Sequence, residues 1–155
     1  MTKPVARLRV FATTVALVLT ASVSAITAPT AHAAQSGYQA LSPTRILDTR
    51  DSGGPVGAGQ SIDLTVTGAN GVPTDGVAAV VVNLTGTANT APTYVTAYPT
   101  GSPAPEASNL NLPTPGSTDS NLVIATVGNG GQISLLNGFG TTHLIADITG
   151  WIPTG

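Results

Sequence analysis

Apolar and polar positions form short runs along most of the chain, and glycine, proline or asparagine interrupts these runs about every 10 to 15 residues. Val, Ile, Leu and Thr, several of which favour strands, dominate the runs. After residue 34, no run keeps the helical period of about 3.6 residues beyond about two turns without meeting glycine or proline. The pattern therefore predicts an all-β protein, an antiparallel β-sandwich that is jelly-roll-like, without a substantial helix.

The apolar runs predict eight strands, at residues 44–50, 61–67, 77–87, 93–99, 109–112, 121–127, 132–137 and 142–152. Asn129-Gly130 gives the strongest hairpin signal. Residues 100–120 predict a long loop with one edge strand. In the last run, strict alternation places Ile148 and Ile152 in the core and Trp151 on the opposite face, although a tryptophan so near the end of the run also suits closing one end of the core.

Residues 1–33 have the pattern of a secretory signal peptide. The pattern consists of a basic start, a mainly apolar stretch and two small residues at an A-x-A site, which here are Lys3, Arg7, Arg9, residues 10–26, Ala31 and Ala33. Serine and threonine inside the stretch argue against a transmembrane anchor, which needs about 20 predominantly apolar residues. We therefore expect cleavage after Ala33 or Ala34, a single β-sandwich domain over residues 34–155, and an extracellular or cell-surface location.

Removal of that segment changes the charge balance. The full chain has a formal net charge of −2, but three of its five cations lie in the first nine residues. The remainder carries two arginines against seven acidic residues, which is a net charge of −5. Such a body has no basic footprint for nucleic acid or for an anionic membrane, so neither is expected as a partner. The absence of cysteine excludes disulfides and a lipoprotein anchor.

The two remaining arginines flank a carboxylate in an apolar segment. Arg45 and Arg50 lie on either side of Asp48, which directly follows Ile-Leu. A charged side chain is retained in an apolar strand when it is paired, because an unpaired buried charge costs several kcal/mol. We therefore predict a structural ion-pair network of Arg45, Asp48, Arg50 and Asp147. The alternative is a ligand site in which an arginine grips a carboxylate or a sugar hydroxyl.

Patterns for catalysis and for metal binding are weak after residue 34. His143 is the single histidine there, no Gly-x-Ser-x-Gly elbow is present, and about 13 Å separates His143 from Asp147 along a strand. Asp48 and Asp51 precede a glycine-rich turn but lack the spacing of a calcium loop, and one histidine without cysteine does not make a structural zinc site. We therefore expect no catalytic residue, no metal and no cofactor.

Two tyrosines offer a means of contacting a glycan. On a strand, Tyr94 and Tyr98 share one face with Thr96 and lie about 13 Å apart, a spacing that suits two stacking platforms. The alternative is that one or both of them cap the core of the sandwich.

Short motifs of the chain, taken in order, resemble a known family. They are Tyr38-x-x-Leu41-Ser-Pro-Thr-Arg-Ile-Leu-Asp-Thr-Arg50, the glycine-rich loop to Gly59, Val80-Val-Val-Asn83-Leu-Thr85, Ser108-Asn-Leu-Asn111, Asn121-Leu-Val and His143-Leu-Ile-Ala-Asp147-Ile-Thr-Gly150-Trp151. Their order is similar to that of a secreted β-sandwich module of actinobacteria, found alone or appended to cell-wall amidases, peptidases and other extracellular hydrolases. The resemblance implies a non-catalytic accessory domain. It also implies that the polar positions of interest are Arg45, Asp48, Arg50, Asn83, Asn109, Asn111, His143 and Asp147.

These observations favour a secreted, non-catalytic binding module for a cell-envelope or extracellular polysaccharide. The candidate ligand-binding residues are Tyr94, Tyr98, Asn83, Asn109 and Asn111. Two alternatives stay open: a small extracellular hydrolase that uses His143 and a carboxylate, or a structural subunit that pairs with a protein partner through a strand edge. Exposed tyrosines would favour glycan binding, a cleft around the histidine would favour an enzyme, and an uncovered apolar edge would favour assembly.

Overall fold

A computed structural model describes residues 37–155. The strands are β1 (Gln39–Asp48), β2 (Ser61–Thr65), β3 (Val77–Thr87), β4 (Thr93–Pro99), β5 (Leu110–Leu112), β6 (Thr118–Thr126), β7 (Gln132–Asn137) and β8 (His143–Pro153). The helical content of these residues is a 3-10 turn at Asn129–Gly131. No helix in this part of the chain has the length and apolar character needed to cross a membrane. The predicted signal peptide, 1–33, lies outside the described residues.

The strands form two antiparallel sheets with a jelly-roll order. The first sheet has the order β1-β8-β3-β6, and the second has the order β2-β7-β4-β5. The first strand pairs with the last, the second with the seventh, the third with the sixth and the fourth with the fifth. This nesting is what results when one long antiparallel ribbon is rolled up, and the β3–β8 and β4–β7 pairs join the rolled turns. The predicted antiparallel jelly-roll sandwich is confirmed.

Most strand bounds follow the apolar runs closely. β3, β4 and β7 begin and end where the pattern predicts. β1 starts at Gln39, five residues before the predicted start at Thr44, because Gln39 and Ala40 pair with the end of β8 on the far side of an irregularity. Alternation is broken at such a bulge, so a periodic pattern misses the strand beyond it. β5 is the single short edge strand that the loop-rich segment was expected to contain.

The core lies between the two sheets and is built from the inward-facing positions of both. β3 contributes Val80, Val82 and Leu84, which are fully buried, and their neighbours at 79, 81 and 83 face the other way. From the second sheet come Val95, Ile133 and Leu135, also fully buried. Removing such side chains from water provides the main free energy of folding, about 25 cal/mol per Å² of apolar surface. No disulfide assists this core, since the chain has no cysteine.

Trp151 faces the core, which corrects the strict alternation expected along the last strand. Val81 is opposite Gly150 and Val82 is opposite Ile148, so Thr149 is an extra residue without a partner in β3. This bulge reverses the facing of every residue after it. Trp151 therefore joins the core cluster with 8% of its surface exposed, whereas Ile152 is only half-buried.

Candidate functional site

The four predicted network residues meet at the β1 edge of the first sheet. Arg45 is opposite Asp147 in the β1–β8 register, and its Nε donates to Asp147 Oδ1 over 2.5 Å. Arg45 Nη1 also donates to Asp48 Oδ2 over 2.9 Å. Asp48 receives two further side-chain bonds from Arg50, at 2.9 Å from Nε and 2.6 Å from Nη2. We call Arg45, Asp48, Arg50 and Asp147 the ion-pair cluster.

Asp48 is the centre of the ion-pair cluster. Its side chain is 6% exposed, against 49% for Arg45 and 51% for Arg50. The hydrogen bond from the Arg50 side chain is the largest cause that lowers the pKa of Asp48 far below its ordinary value, and the Arg50 backbone N–H and both guanidinium charges add to it, while burial opposes it. The hydrogen bond to Asp147 is the largest cause that raises the pKa of Arg45, and the hydrogen bond to Asp48 is the largest cause that raises the pKa of Arg50. Both cations are therefore already neutralised by carboxylates of the protein, an arrangement suited to holding β1 against β8.

Asn83 lies beside this cluster without joining it. It is opposite Asp147 in the β3–β8 register and half-buried on the outer face of the first sheet. Within residues 37–155, the hydrogen bonds of Asp147 come from Arg45 and not from Asn83.

A second polar cluster lines a groove on the other side of the sandwich. The groove opens between β5, an edge of the second sheet, and β6, an edge of the first, and has a volume of about 360 Å³. We call it the edge groove, and its lining residues are Asn109, Leu110, Asn111, Pro113, Asp119, Ser120 and Asn121. It brings two predicted residues, Asn109 and Asn111, together with Asn121 of the Asn121-Leu-Val motif and with Asp119 and Ser120, which the sequence did not single out.

The strand alternation explains how the edge groove forms. Leu110 and Leu112 of β5 point into the core, so Asn111 between them is exposed. On β6, Val123 and Ala125 face the core, and the period of two gives Asn121 and Asp119 the same direction. Gly86 of β3 is opposite Asp119, and a Cβ at Gly86 would lie 2.7 Å from a methyl group of Leu112. The missing side chain at Gly86 lets the β5 leucines pack against β3 and form the floor.

Asn109 both lines the groove and maintains the sheet beside it. Its backbone N–H donates to Val95 O over 2.9 Å, and its Oδ1 accepts from the N–H of Ala97 over 2.7 Å. The side chain thereby takes the place of a strand residue at the position just before β5 begins. The backbone carbonyl of Asn109 accepts a bond of 2.8 Å from Asn121 Nδ2, which ties the two walls together. By contrast, the side chains of Asn111, Asp119 and Ser120 are exposed and have no hydrogen-bond partner within the described residues.

An aromatic pair adjoins the groove through Asn111. Asn111 is directly opposite Tyr94 on the outer face of the second sheet, where opposite Cβ atoms lie about 5 Å apart. Tyr94 and Phe139 meet edge to face, with ring centroids 5.8 Å apart and planes at 85°. Phe139 is 59% exposed. The polar groove thus continues into an exposed aromatic surface, which we call the aromatic pair.

Tyr98 is not part of this surface. It lies on the same sheet face as Tyr94, but Thr96 between them is fully buried and donates to the carbonyl of Ala107 over 2.7 Å. The segment around Ala107 therefore crosses the face and separates the two tyrosines. Tyr98 is half-buried, and its hydroxyl is 2.9 Å from Ser61 Oγ. The structure brings Tyr94 to the edge groove and leaves Tyr98 away from it.

His143 is paired with a buried threonine. Its Nδ1 is 3.1 Å from Oγ1 of Thr49, which is 3% exposed and accepts a bond of 2.9 Å from the N–H of Leu144. Among residues 37–155, no hydrogen bond joins His143 to a serine or a carboxylate, and no group of three or more His, Asp or Glu side chains is placed to hold a metal ion. This geometry gives no support to the hydrolase alternative.

Asn137 is an important residue that the sequence did not single out. It is fully buried, and its Oδ1 accepts from Thr93 Oγ1 over 2.7 Å. Its Nδ2 lies within 3.2 Å of four carbonyl oxygens in two loops, those of Val56, Gly57, Phe139 and Gly140. The side chain therefore holds in place the turn that carries Phe139. An asparagine at the end of a strand predicts a turn, and nothing local marks it as buried.

Sequence signals for the other unexpected residues were also weak. Asp119, Ser120 and Asn121 are three consecutive polar residues, and the pattern predicts a strand that starts only at Asn121. In the structure β6 begins at Thr118, so all three belong to the strand. They line the edge groove only because β5 lies beside β6, and the local sequence does not predict that proximity.

Comparison with known proteins does not assign a family to this chain. No protein-family model matches the chain, and no curated protein matches it significantly. The function is therefore inferred from the edge groove, the aromatic pair and the charges around them.

Proposed function

We propose that this protein is a secreted, non-catalytic binding module for a cell-envelope or extracellular polysaccharide, and that it binds the polysaccharide in the edge groove. The observation that carries the proposal is the open cleft of about 360 Å³, whose lining includes the exposed amide of Asn111 and the exposed carboxylate of Asp119. The side-chain groups of Asn111 and Asp119 are free of hydrogen bonds within the described residues. They are the groups that a ligand would engage.

The chemistry of these groups matches that of a sugar. A sugar hydroxyl donates one hydrogen bond and accepts others, an asparagine amide does both, and a carboxylate accepts. Besides its hydroxyls, a pyranose ring presents C–H groups on its faces, and these pack on aromatic rings. Asn111 lies between the groove and the aromatic pair, so one saccharide unit can reach the polar groups while the next contacts Phe139. The groove is open along the sheet edges, which suits a polymer better than an enclosed small molecule.

The location part of the proposal rests on the N-terminal pattern and on the resemblance to exported accessory modules. A basic start, an apolar stretch and an A-x-A site are the features by which a chain is directed to secretion. A polysaccharide of the cell envelope is the ligand that such a location would present.

The proposal is tested by pull-down on insoluble peptidoglycan, cellulose and chitin. We expect saturable retention on at least one of these polymers, and Phe139→Ala and Asn111→Ala are each expected to weaken it by about tenfold, because each removes a contact worth about 1.4 kcal/mol. Asn129→Ala is the matched control, since Asn129 is exposed and lies outside the groove lining. Retention on none of the polymers, or equal loss in the control, would contradict the proposal.

A second candidate function is assembly through the edge of β6 that no strand of residues 37–155 covers. Leu122 and Ile124 are 60% and 64% exposed on this edge strand, and large apolar side chains at an unpaired edge favour strand addition. The partner that fits is a second copy of the chain. Antiparallel pairing centred on Val123 places Leu122 opposite Ile124 of the other copy, and it places Asp119, the one charged residue of β6, opposite Val127, so that the two carboxylates stay apart.

Sedimentation equilibrium tests this second candidate. The wild-type protein is expected to show a concentration-dependent dimer, and Ile124→Lys is expected to be monomeric, because a lysine on an edge strand prevents edge-to-edge pairing. A wild-type protein that stays monomeric at all concentrations would exclude it. Glycan retention by the same Ile124→Lys protein would show that the two functions are separate.

A further inference from the structure

The charges near the edge groove have one sign. Asp119 is the only ionisable residue in its lining. Glu106 precedes the groove in the loop that leads to β5 and is exposed. A groove that binds an acidic polymer would need a cation to pair with each carboxylate or phosphate, because an unpaired contact between like charges is unfavourable.

The two cations of the described residues lie at the opposite edge of the sheet. Arg45 and Arg50 belong to or follow β1, and the order β1-β8-β3-β6 puts three strand spacings, about 14 Å, between that edge and β6. This distance exceeds the screening length of about 8 Å at physiological ionic strength. Both arginines are also paired, Arg45 with Asp48 and Asp147, and Arg50 with Asp48. They do not offset the charge of Asp119.

From this distribution we infer that the edge groove selects glycans that carry no negative charge, either neutral polymers or polymers of amino sugars, and that Asp119 is the residue that rejects carboxylated or phosphorylated ones. The inference rests on the proposed function and adds the class of ligand. A neutral sugar donates a hydroxyl to the Asp119 carboxylate, and an ammonium group of an amino sugar forms an ion pair with it. A uronic acid or a phosphodiester at the same place meets a like charge.

The test compares polymers that share a backbone and differ in charge. Native affinity electrophoresis at physiological ionic strength measures the dissociation constants for hydroxyethylcellulose against carboxymethylcellulose, and for glycol chitin against glycol chitosan. The carboxylated polymer is expected to bind at least about fivefold more weakly than its neutral counterpart. The aminated polymer is expected to bind at least as tightly as its neutral counterpart. Added salt should reduce both differences.

Two charge-matched variants assign the effect to a residue. Asp119→Asn keeps a hydrogen-bond acceptor and removes the charge, so the ratio of the affinity for carboxymethylcellulose to that for hydroxyethylcellulose should rise at least about fivefold, because the repulsion is lost while the neutral polymer loses a charge-assisted hydrogen bond. Asp75→Asn makes the same change of net charge at an exposed position outside the groove lining and should leave the preference unchanged. Equal effects of the two variants would overturn the role of Asp119.

The outcomes separate this inference from the function on which it rests. Equal binding of the neutral and the carboxylated polymer by the wild-type protein would overturn the inference and leave the glycan-binding function standing. Binding to none of the four polymers would also overturn it. If insoluble peptidoglycan, cellulose and chitin then fail to retain the protein as well, the proposed function is overturned together with it.

Discussion

The buried amide of Asn137 gives the sharpest test of how the loops are held. Asn137→Ala removes a side chain that accepts one hydrogen bond from Thr93 and whose two N–H groups are shared among four carbonyl oxygens, those of Val56, Gly57, Phe139 and Gly140. The loss amounts to about three hydrogen bonds, and at about 1 to 1.5 kcal/mol each the free energy of unfolding should fall by about 3 to 4.5 kcal/mol. Carbonyls left without a donor in a dry site add to this loss.

Urea unfolding followed by fluorescence measures this change, because Trp151 is the single tryptophan of the chain and is 8% exposed in the folded state. Asn129→Ala is the control, since Asn129 is exposed and the same truncation there should change the free energy of unfolding by less than about 0.5 kcal/mol. A loss below about 1 kcal/mol in Asn137→Ala would refute the reasoning, because the site would then have been rehydrated or the bonds would contribute almost nothing. A variant that still folds should also show weaker glycan retention, since Phe139 is no longer held.

Three further substitutions test the rest of the scaffold. Asp48→Asn should make stability less dependent on pH in the acid range, as measured by thermal melts across pH 2 to 7. The folded-state pKa of Asp48 is lowered, so its stabilisation is present above the unfolded pKa of about 3.9 and is lost as the pH falls below that value toward the folded pKa. A variant with the pH dependence of the wild-type protein would be the contrary result. Gly150→Ala should cost about 1 to 3 kcal/mol in urea unfolding because a Cβ there would collide with the ring of Tyr38, whereas Gly155→Ala, in open space, should be neutral. Thr49→Val should cost about 1 to 3 kcal/mol by leaving a buried N–H of β8 without its acceptor, and an unchanged unfolding midpoint would contradict that role.

The strand pattern could be predicted because apolar and polar residues alternate along a half-buried strand according to the face on which each lies. β3 alternates buried and half-buried positions over its second half, from Val82 to Thr87, and its predicted bounds, Val77–Thr87, are the observed ones. The prediction went wrong where the period of two is interrupted. The bulge at Thr149 turns Trp151 into the core, and the irregularity after Ala40 separates the start of β1 from the rest of its alternation. The position of a bulge depends on the pairing with the neighbouring strand, so the alternation of residues within one strand does not predict it.

The candidate site was predicted only in part. Asn109 and Asn111 were singled out, and they lie in the edge groove. Asp119 and Phe139 were not, because each becomes relevant only through a distant segment: Asp119 through the position of β5, and Phe139 through the buried amide of Asn137. Tyr98 was grouped with Tyr94 from their spacing alone, and the loop that crosses between them depends on a contact with Ala107.

The sequence by itself determined the class of fold, the positions of the strands and the residues from which charge pairing must be built, since two arginines and a carboxylate inside an apolar strand leave few partners. Only the tertiary structure decided which edges adjoin and what lies between them. Arg45 reaches Asp147 across 102 residues of chain through the β1–β8 register. The edge groove exists because β5 and β6, from different sheets, end on the same side of the roll. Alternation is a local property of a strand, whereas the meeting of two edges follows from how the whole ribbon is rolled.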